Sequence, residues 1–152
     1  MVHLIGGLIS IILVITTTLI YYEIMRLTWA LLPKLSLAPR KKVIIVVLSI
    51  FAGHTIAVWI YGFTFWIMSK TGLGGIGGEH EDIFLTYLYF SAETYSSLGL
   101  GDVFPQKGLH LLVGVEALNG LVLIGWSVAF TFIAMQEFWD LHGKTITKNS
   151  DN

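Results

Sequence analysis

The chain has 152 residues, of which 55% are hydrophobic and only 12% are charged, and its mean hydropathy is +0.75. A soluble domain carries about a quarter charged residues, so this composition excludes an ordinary soluble globular protein. The sequence contains no cysteine, which excludes a disulfide scaffold and a thiolate metal site. The formal net charge of −1 gives little information by itself, and we expect no nucleic-acid partner.

Three long stretches of the sequence account for the low charge. Residues 4–22 and 43–68 carry no charged side chain, and residues 109–136 carry only Glu116. A helix of about 20 apolar residues crosses the hydrocarbon core of a bilayer. The sequence therefore predicts an all-α membrane protein with three transmembrane helices, surrounded by lipid.

The distribution of charge predicts how these helices are oriented. An extra N-terminal helix within 1–32 is followed by a loop, 33–42, whose charged residues are all basic: Lys34, Arg40, Lys41 and Lys42. Because basic loops stay in the cytoplasm, the amino terminus and the segment 69–108 are expected outside the cell. The short tail, 139–152, is then cytoplasmic. This topology predicts a multi-pass protein of the plasma membrane (the cell inner membrane).

Two polar features lie in the first two predicted helices. Glu23 and Arg26 are three residues apart, which predicts an ion pair on one helix face near the inner boundary of the membrane. His54 lies in the middle of the second predicted helix, 43–68. An ionisable group at that depth in the membrane is a functional candidate. The alternative, which we favour, is a neutral imidazole hydrogen-bonded to a neighbouring helix.

The predicted extracellular loop, 69–82, has two parts. Its glycine-rich portion, 71–78, is too rich in glycine for a stable helix and is expected to be flexible. The acidic run 79–82 is predicted to concentrate cations at the outer surface of the membrane. A divalent-cation site is the alternative for this run.

A short apolar segment separates this loop from the third span. Residues 83–96 have a helical pattern but are too few to cross the bilayer, and the glycine-containing segment 97–102 follows. Non-helical backbone at membrane depth persists only where protein buries it or where it lines a water-filled cavity. We therefore predict a re-entrant loop with a pore helix at 83–96. One chain with three helices cannot surround such a cavity, so several copies must do so.

The segment 97–102 has the composition of an ion filter. A cation that loses its hydration in a narrow pore needs replacement oxygens, which backbone carbonyls supply. Gly99 and Gly101 permit backbone conformations that other residues resist. We expect Leu98 and Leu100 to pack outward into the supporting helices while the carbonyls point inward. Ser97 adds a hydroxyl at the inner mouth.

This filter resembles the potassium-channel signature, which is Thr-Val-Gly-Tyr-Gly-Asp in its commonest version. The corresponding segment of this chain is Ser97-Leu98-Gly99-Leu100-Gly101-Asp102. The similarity extends before it to Ser91, Glu93 and Thr94, and after it to residues 103–105. The flanking helices fit as well, so 43–138 resembles a pore domain with outer helix 43–68 and inner helix 108–138.

The resemblance implies a fold, an ion and a set of site residues. It implies a homotetrameric channel that conducts potassium passively, without a catalytic site or a cofactor. Potassium ions would be bound by oxygens of Ser97, Leu98, Gly99 and Leu100. Glu93 and Asp102 would share a proton or a water and support the filter, and proximity of two carboxylates raises the pKa of one.

The sequence departs from the family pattern at a few positions. Leu100 replaces the usual tyrosine and loses its hydroxyl contact, and Tyr89 and Phe90 stand where tryptophan is common. Two alternatives to a potassium channel therefore stay open. One is a weakly selective or sodium-conducting channel with the same fold, and the other is a non-conducting accessory subunit.

The inner helix carries polar residues and glycines. Glu116 and Asn119 either hold helices together or face the cavity and attract cations. Gly120, together with Gly114 and Gly125, either packs against a neighbouring helix or provides a hinge. Repeated arginines are absent from the predicted helices, so a voltage sensor is not expected.

Overall fold

The computed structural model describes residues 2–78, 82–106 and 108–148. Helices make up most of this structure, with two very short strands between them. In chain order the elements are α1 (Val2–Leu31), a 3₁₀ helix (Leu32–Lys34), α2 (Pro39–Lys70), β1 (Ile76–Gly78), α3 (Phe84–Tyr95), β2 (Val103–Pro105) and α4 (His110–Lys148).

Three of the helices, α1, α2 and α4, are long and apolar enough to cross a membrane. This confirms the three predicted spans. Most side chains along them are apolar, and several serine and threonine hydroxyls that interrupt the apolar runs bond within their own helix. Thr17 Oγ1, for example, donates to the Leu13 carbonyl at 2.8 Å. Such bonds satisfy polar groups that have no water to bind in a bilayer.

The first helix packs along both α2 and α4. Its predicted ion pair is present, with Arg26 Nη2 2.6 Å from Glu23 Oε2 and both side chains about half exposed. An exposed pair of this kind contributes little to stability. The position of α1 therefore depends on its contacts with the other two spans.

The outer helix α2 begins earlier than predicted. Pro39 is its first residue, so three of the basic residues assigned to the loop 33–42 lie in the first helical turn instead. Proline favours this position because its fixed φ suits a helix and its missing N–H is not needed there. The connection between the first two spans is correspondingly shorter.

The predicted flexible loop is partly a small sheet. Strand β1 pairs antiparallel with β2, with Gly77 opposite Phe104, and Gln106 N donates to the Gly75 carbonyl at 2.8 Å. Gly78 has φ +111°, and a Cβ there would overlap the Asp102 carbonyl oxygen. Glycine is needed at this position because the chain leaving the segment 97–102 passes against it.

The last helix, α4, is longer than the predicted inner helix. It runs from His110 to Lys148, so the first part of the predicted tail, 139–152, continues the helix. No proline interrupts this part of the sequence, and a single glycine, Gly143, is tolerated within a helix at a cost of about 1 kcal/mol.

Two clusters of buried side chains hold the helices together. The first, around Tyr61, Phe65 and Phe90, joins α2 to α3 and the start of α4. The second, around Tyr21 and Leu123, joins α1 to α2 and the middle of α4. The short helix α3 therefore lies between α2 and α4, with its carboxyl end directed into the second cluster.

Candidate functional site

The short helix α3 ends in a defined turn. Ser97 N donates to the Thr94 carbonyl at 2.9 Å, and Leu98 N donates to the Glu93 carbonyl at 3.0 Å. These two bonds, with Ser97 at φ +57°, form a Schellman motif. Glycine usually takes this left-handed position, and a side chain there costs about 1–2 kcal/mol. Strain of this kind is typical of functional sites.

The backbone of the segment 97–102 alternates in the sign of φ. Ser97, Gly99 and Gly101 have φ values of +57°, +60° and +83°, whereas Leu98 and Leu100 lie outside the positive region. Alternation between left- and right-handed residues turns successive peptide groups the same way. An ordinary strand, in contrast, turns them to opposite sides. The two glycines are therefore placed where the conformation requires them.

Two hydrogen bonds fix the direction of the carbonyls. The N–H groups of Leu98 and Gly101 both point back to Glu93 of α3, the first to its carbonyl and the second to its carboxylate Oε1 at 3.0 Å. In a trans peptide the preceding C=O points opposite to the N–H. The carbonyl oxygens of Ser97 and Leu100 therefore point away from α3, toward the open side of the segment.

The side chains of Leu98 and Leu100 are largely exposed in the single chain. They are 64% and 62% exposed, whereas we expected both to pack against supporting helices. The hydrogen bonds between this segment and α3 are made through the N–H groups of Leu98 and Gly101 and do not involve the leucine side chains. Within one chain, two large apolar side chains are thus mostly uncovered.

Glu93 supports the segment from behind. Its side chain is only 5% exposed, and Oε1 accepts the Gly101 N–H bond. Its other oxygen, Oε2, is buried and accepts no hydrogen bond from the residues that the structure describes. The Glu93 side chain holds the far end of the segment to the short helix α3.

Asp102 is hydrogen-bonded to Tyr89, a residue for which the sequence predicted no such role. Its two carboxylate oxygens each accept from the Tyr89 hydroxyl at 3.1 Å, and Oδ1 also accepts from Val103 N at 3.0 Å. Glu93 accepts from Gly101 N, and Asp102 accepts from Tyr89; the sharing of a proton or a water between the two carboxyl groups stays a prediction. Partial desolvation and then the bond to Asp102 raise the pKa of Tyr89, so its phenol stays a donor at neutral pH.

Sequence reasoning missed Tyr89 as a site residue. It was considered only as a replacement for tryptophan, although its spacing of four from Glu93 places both side chains on one face of α3. That spacing was the available signal. Tyr89, Glu93 and Asp102 together hold the segment 97–102 against the outer part of α3.

The amino end of α3 is anchored to α2. The Tyr87 hydroxyl lies 2.7 Å from Ser69 Oγ and 2.8 Å from Asp82 Oδ1, and Lys70 Nζ lies 2.6 Å from Asp82 Oδ2. Asp82 is thus engaged in a local network. The rest of the predicted acidic run, 79–81, lies outside the described residues.

Glu116 is buried behind α3. Its side chain is 0% exposed, and Oε1 lies 2.6 Å from the Ser91 hydroxyl, which lies 2.9 Å from the Val58 carbonyl. A carbonyl only accepts and Ser91 has one proton. Both contacts are satisfied together when Glu116 is a carboxylic acid that donates to Ser91. Burial rules out the cavity-facing alternative, because Glu116 meets α2 and α3 and not an open space.

Asn119 and Gly120 both contribute to the packing of α4 against the other helices. Asn119 Nδ2 donates to Thr17 Oγ1 at 2.8 Å and to the Tyr61 hydroxyl at 3.2 Å, which ties α4 to α1 and α2. A Cβ at Gly120 would overlap the Tyr95 carbonyl oxygen and lie 3.0 Å from its carbonyl carbon. Gly120 therefore lets α4 approach the end of α3, and of the two expectations for this glycine, close packing agrees with the structure.

His54 is hydrogen-bonded to neighbouring helices, as favoured from the sequence. Its partners are Tyr95 of α3 and Ser127 of α4. Neither residue was singled out in the sequence, because their distances along the chain from His54 leave no local pattern.

The fold and site together define a multi-pass membrane protein in which two spans hold a short helix and a strained, carbonyl-presenting segment. A family model described as an ion channel matches residues 43–137. This match covers more than half of the chain, and the chain belongs to this ion channel family. The family is not enzymatic, which confirms that expectation. No curated protein and no solved structure matches the chain.

Proposed function

We propose that four copies of this chain form a channel that conducts potassium passively across the plasma membrane, with 97–102 as its selectivity filter. The observation that carries the proposal is the direction of the backbone. The N–H groups of Leu98 and Gly101 are bonded to α3, so the carbonyls of Ser97 and Leu100 face the other way. In this proposal α3 is a re-entrant pore helix and that open side is the pore.

The carbonyl oxygens replace the hydration shell of the ion. A potassium ion entering the filter loses water and is bound by the oxygens of Ser97, Leu98, Gly99 and Leu100 from each subunit. The hydrogen bond that Glu93 accepts from Gly101 and the one that Tyr89 donates to Asp102 hold the filter from behind, so the oxygens need not move inward when an ion leaves. Potassium is the transported ion, and the mechanism needs no cofactor.

The exposed leucines support assembly around an axis. Leu98 and Leu100 are more than 60% exposed in the single chain, and burying a leucine contributes about 1.5–3 kcal/mol. In a closed ring each leucine packs against the pore helix of the neighbouring subunit. The ring thereby covers the apolar side chains and places four sets of carbonyls around one axis.

The orientation follows from the basic residues near the start of α2. Arg40, Lys41 and Lys42 favour the cytoplasmic side, which places the amino terminus and the loop before α3 outside. The carboxyl end of α3 then points inward with its negative dipole end toward the inner cavity, where it favours cations. The extra helix α1 contacts α2 and α4, away from the filter.

Purified protein in liposomes provides the test of this proposal. We expect potassium efflux that sodium does not support, a fourfold assembly by crosslinking, and loss of efflux in Gly99→Ala with the assembly intact. Gly114→Ala is the matched control, because a Cβ there meets open space and no positive φ is required. Equal sodium flux would indicate the weakly selective channel, and an intact assembly without any flux would indicate an accessory subunit.

A further inference from the structure

His54 connects three helices through one side chain. Its Nδ1 lies 2.8 Å from the hydroxyl of Tyr95, the last residue of α3. Its Nε2 lies 2.8 Å from Ser127 Oγ on α4. Tyr21 of α1 is hydrogen-bonded to the same Ser127 oxygen. All four helices therefore meet at this half-buried imidazole and its partners.

The hydrogen bonds assign the tautomer of the ring. Ser127 Oγ lies 2.7 Å from the Leu123 carbonyl, which only accepts, so the single hydroxyl proton of Ser127 is used there. Ser127 must then accept from His54, which requires a proton on Nε2. The neutral ring has no proton on Nδ1, and this nitrogen accepts from Tyr95. With this tautomer the Tyr95 hydroxyl donates to His54 Nδ1, His54 Nε2 donates to Ser127 Oγ, and Ser127 Oγ donates to the Leu123 carbonyl.

Tyr95 lies at the base of the filter. It is two residues before Ser97, its side chain is 3% exposed, and its ring meets the imidazole edge-on with centroids 5.7 Å apart. Its carbonyl is packed against Gly120. The backbone of this residue is thus positioned by α4 and its hydroxyl by His54 of α2.

We infer that His54 is a positioning residue of the filter: the neutral imidazole holds Tyr95 and with it the carboxyl end of the pore helix, and protonation of the ring releases this contact. The inference rests on the proposed function. It adds a proton-sensitive link between the filter and the surrounding helices.

Protonation acts through both hydrogen bonding and charge. An imidazolium carries protons on both nitrogens, so Nδ1 no longer accepts from Tyr95 and the phenol loses its acceptor. The ionisable groups that face the ring are the phenols of Tyr21 and Tyr95, which supply no negative charge. Glu116, on the same helix as Ser127, is bonded to Ser91 instead. A charged ring is therefore uncompensated. The buried phenol proton of Tyr95 has lost its acceptor, and the phenol must move to satisfy it, which releases the hydrogen bond that held Tyr95.

Potassium efflux from liposomes, measured between about pH 8 and pH 5, tests whether protonation of His54 changes conduction. We expect efflux of the wild type to fall about fivefold on acidification, the factor for the loss of one ordinary hydrogen bond. His54→Gln, which cannot be protonated, should lose this response. Tyr95→Phe should give at every pH the low efflux of the acidified wild type. His110→Gln is the matched control and should keep the response; a response retained by His54→Gln would overturn the inference.

A second measurement does not depend on conduction. Nitrogen NMR of protein labelled at histidine should give a neutral ring protonated on Nε2, assigned to His54 by its loss in His54→Gln and shifted in Tyr95→Phe. A ring protonated on Nδ1, or a signal unaffected by Tyr95→Phe, would overturn the inference even if no variant conducts. Absence of efflux at all pH values, with the expected NMR result, would instead count against the proposed function alone.

Discussion

Replacement of Gly120 by alanine tests the close approach between the long helix α4 and the short helix α3. The added Cβ would overlap the Tyr95 carbonyl oxygen and lie only 3.2 Å from Cγ of the same residue. Tyr95 is buried and bonded through its hydroxyl, so neither it nor the backbone of α4 can move without disturbing other contacts. Overpacking of this kind costs about 1–3 kcal/mol, against a gain of about 1 kcal/mol from the higher helix propensity of alanine.

Gly114→Ala separates the two contributions. Gly114 lies on the same helix, and a Cβ there has no neighbour within 4 Å, so only the favourable contribution of about 1 kcal/mol is expected. Reversible unfolding in mixed micelles, followed by tryptophan fluorescence, should therefore place Gly120→Ala below the wild type and Gly114→Ala at or above it. Equal stability of the two variants would refute the close approach and restore the hinge interpretation of Gly120.

Three further substitutions test the filter and its support. Gly99→Ala should cost about 1–2 kcal/mol through its positive φ alone, since a Cβ there meets open space, and should abolish conduction without loss of the oligomer in gel filtration. Tyr89→Phe removes the donor to Asp102 and should lower the ratio of potassium to sodium permeability in bilayer recordings; an unchanged ratio would show that this bond is dispensable. Ser91→Ala should cost about 1–3 kcal/mol of unfolding free energy, because the buried Glu116 loses its partner. The same substitution in a Glu116→Leu background should cost less, and equal costs would contradict the proposed coupling.

The sequence predicted the helices well and their ends less well. Long uncharged runs specify α1, α2 and α4 because a bilayer requires uninterrupted apolar helix. The start of α2 at Pro39 and the continuation of α4 to Lys148 were missed, because charged residues were used to mark the ends of helices. Basic side chains fit an exposed helical turn as readily as a loop, and charge alone therefore does not locate a helix terminus.

The small sheet was missed for a different reason. Strands of three residues, such as Ile76–Gly78, have no detectable alternation of polar and apolar residues. Their pairing with Val103–Pro105 is a tertiary contact, which forms only when the chain returns from the segment 97–102. The glycines that suggested flexibility are instead required because Gly78 lies against the Asp102 carbonyl.

Within the candidate site, local backbone was predictable and long-range partners were not. Gly99 and Gly101 of the proposed filter were identified from their spacing, and the structure gives both a positive φ. The partners of Asp102 and His54 lie 13 to 73 residues away along the chain, and no sequence pattern links such pairs. Glu93 accepts a hydrogen bond from Gly101 N, because the turn at the end of α3 brings that N–H to its carboxylate, and its sharing of a proton or a water with Asp102 stays a prediction.

The reversal potential of the reconstituted channel tests the central claim most directly. It is measured in a planar bilayer with potassium on one side and sodium on the other, with the wild type and Gly99→Ala compared. The account predicts a reversal close to the potassium equilibrium potential for the wild type and no current for the variant. A wild-type reversal near zero would contradict potassium selectivity, and it would indicate that Leu100, without a tyrosine hydroxyl, leaves the filter too loose to distinguish the two ions.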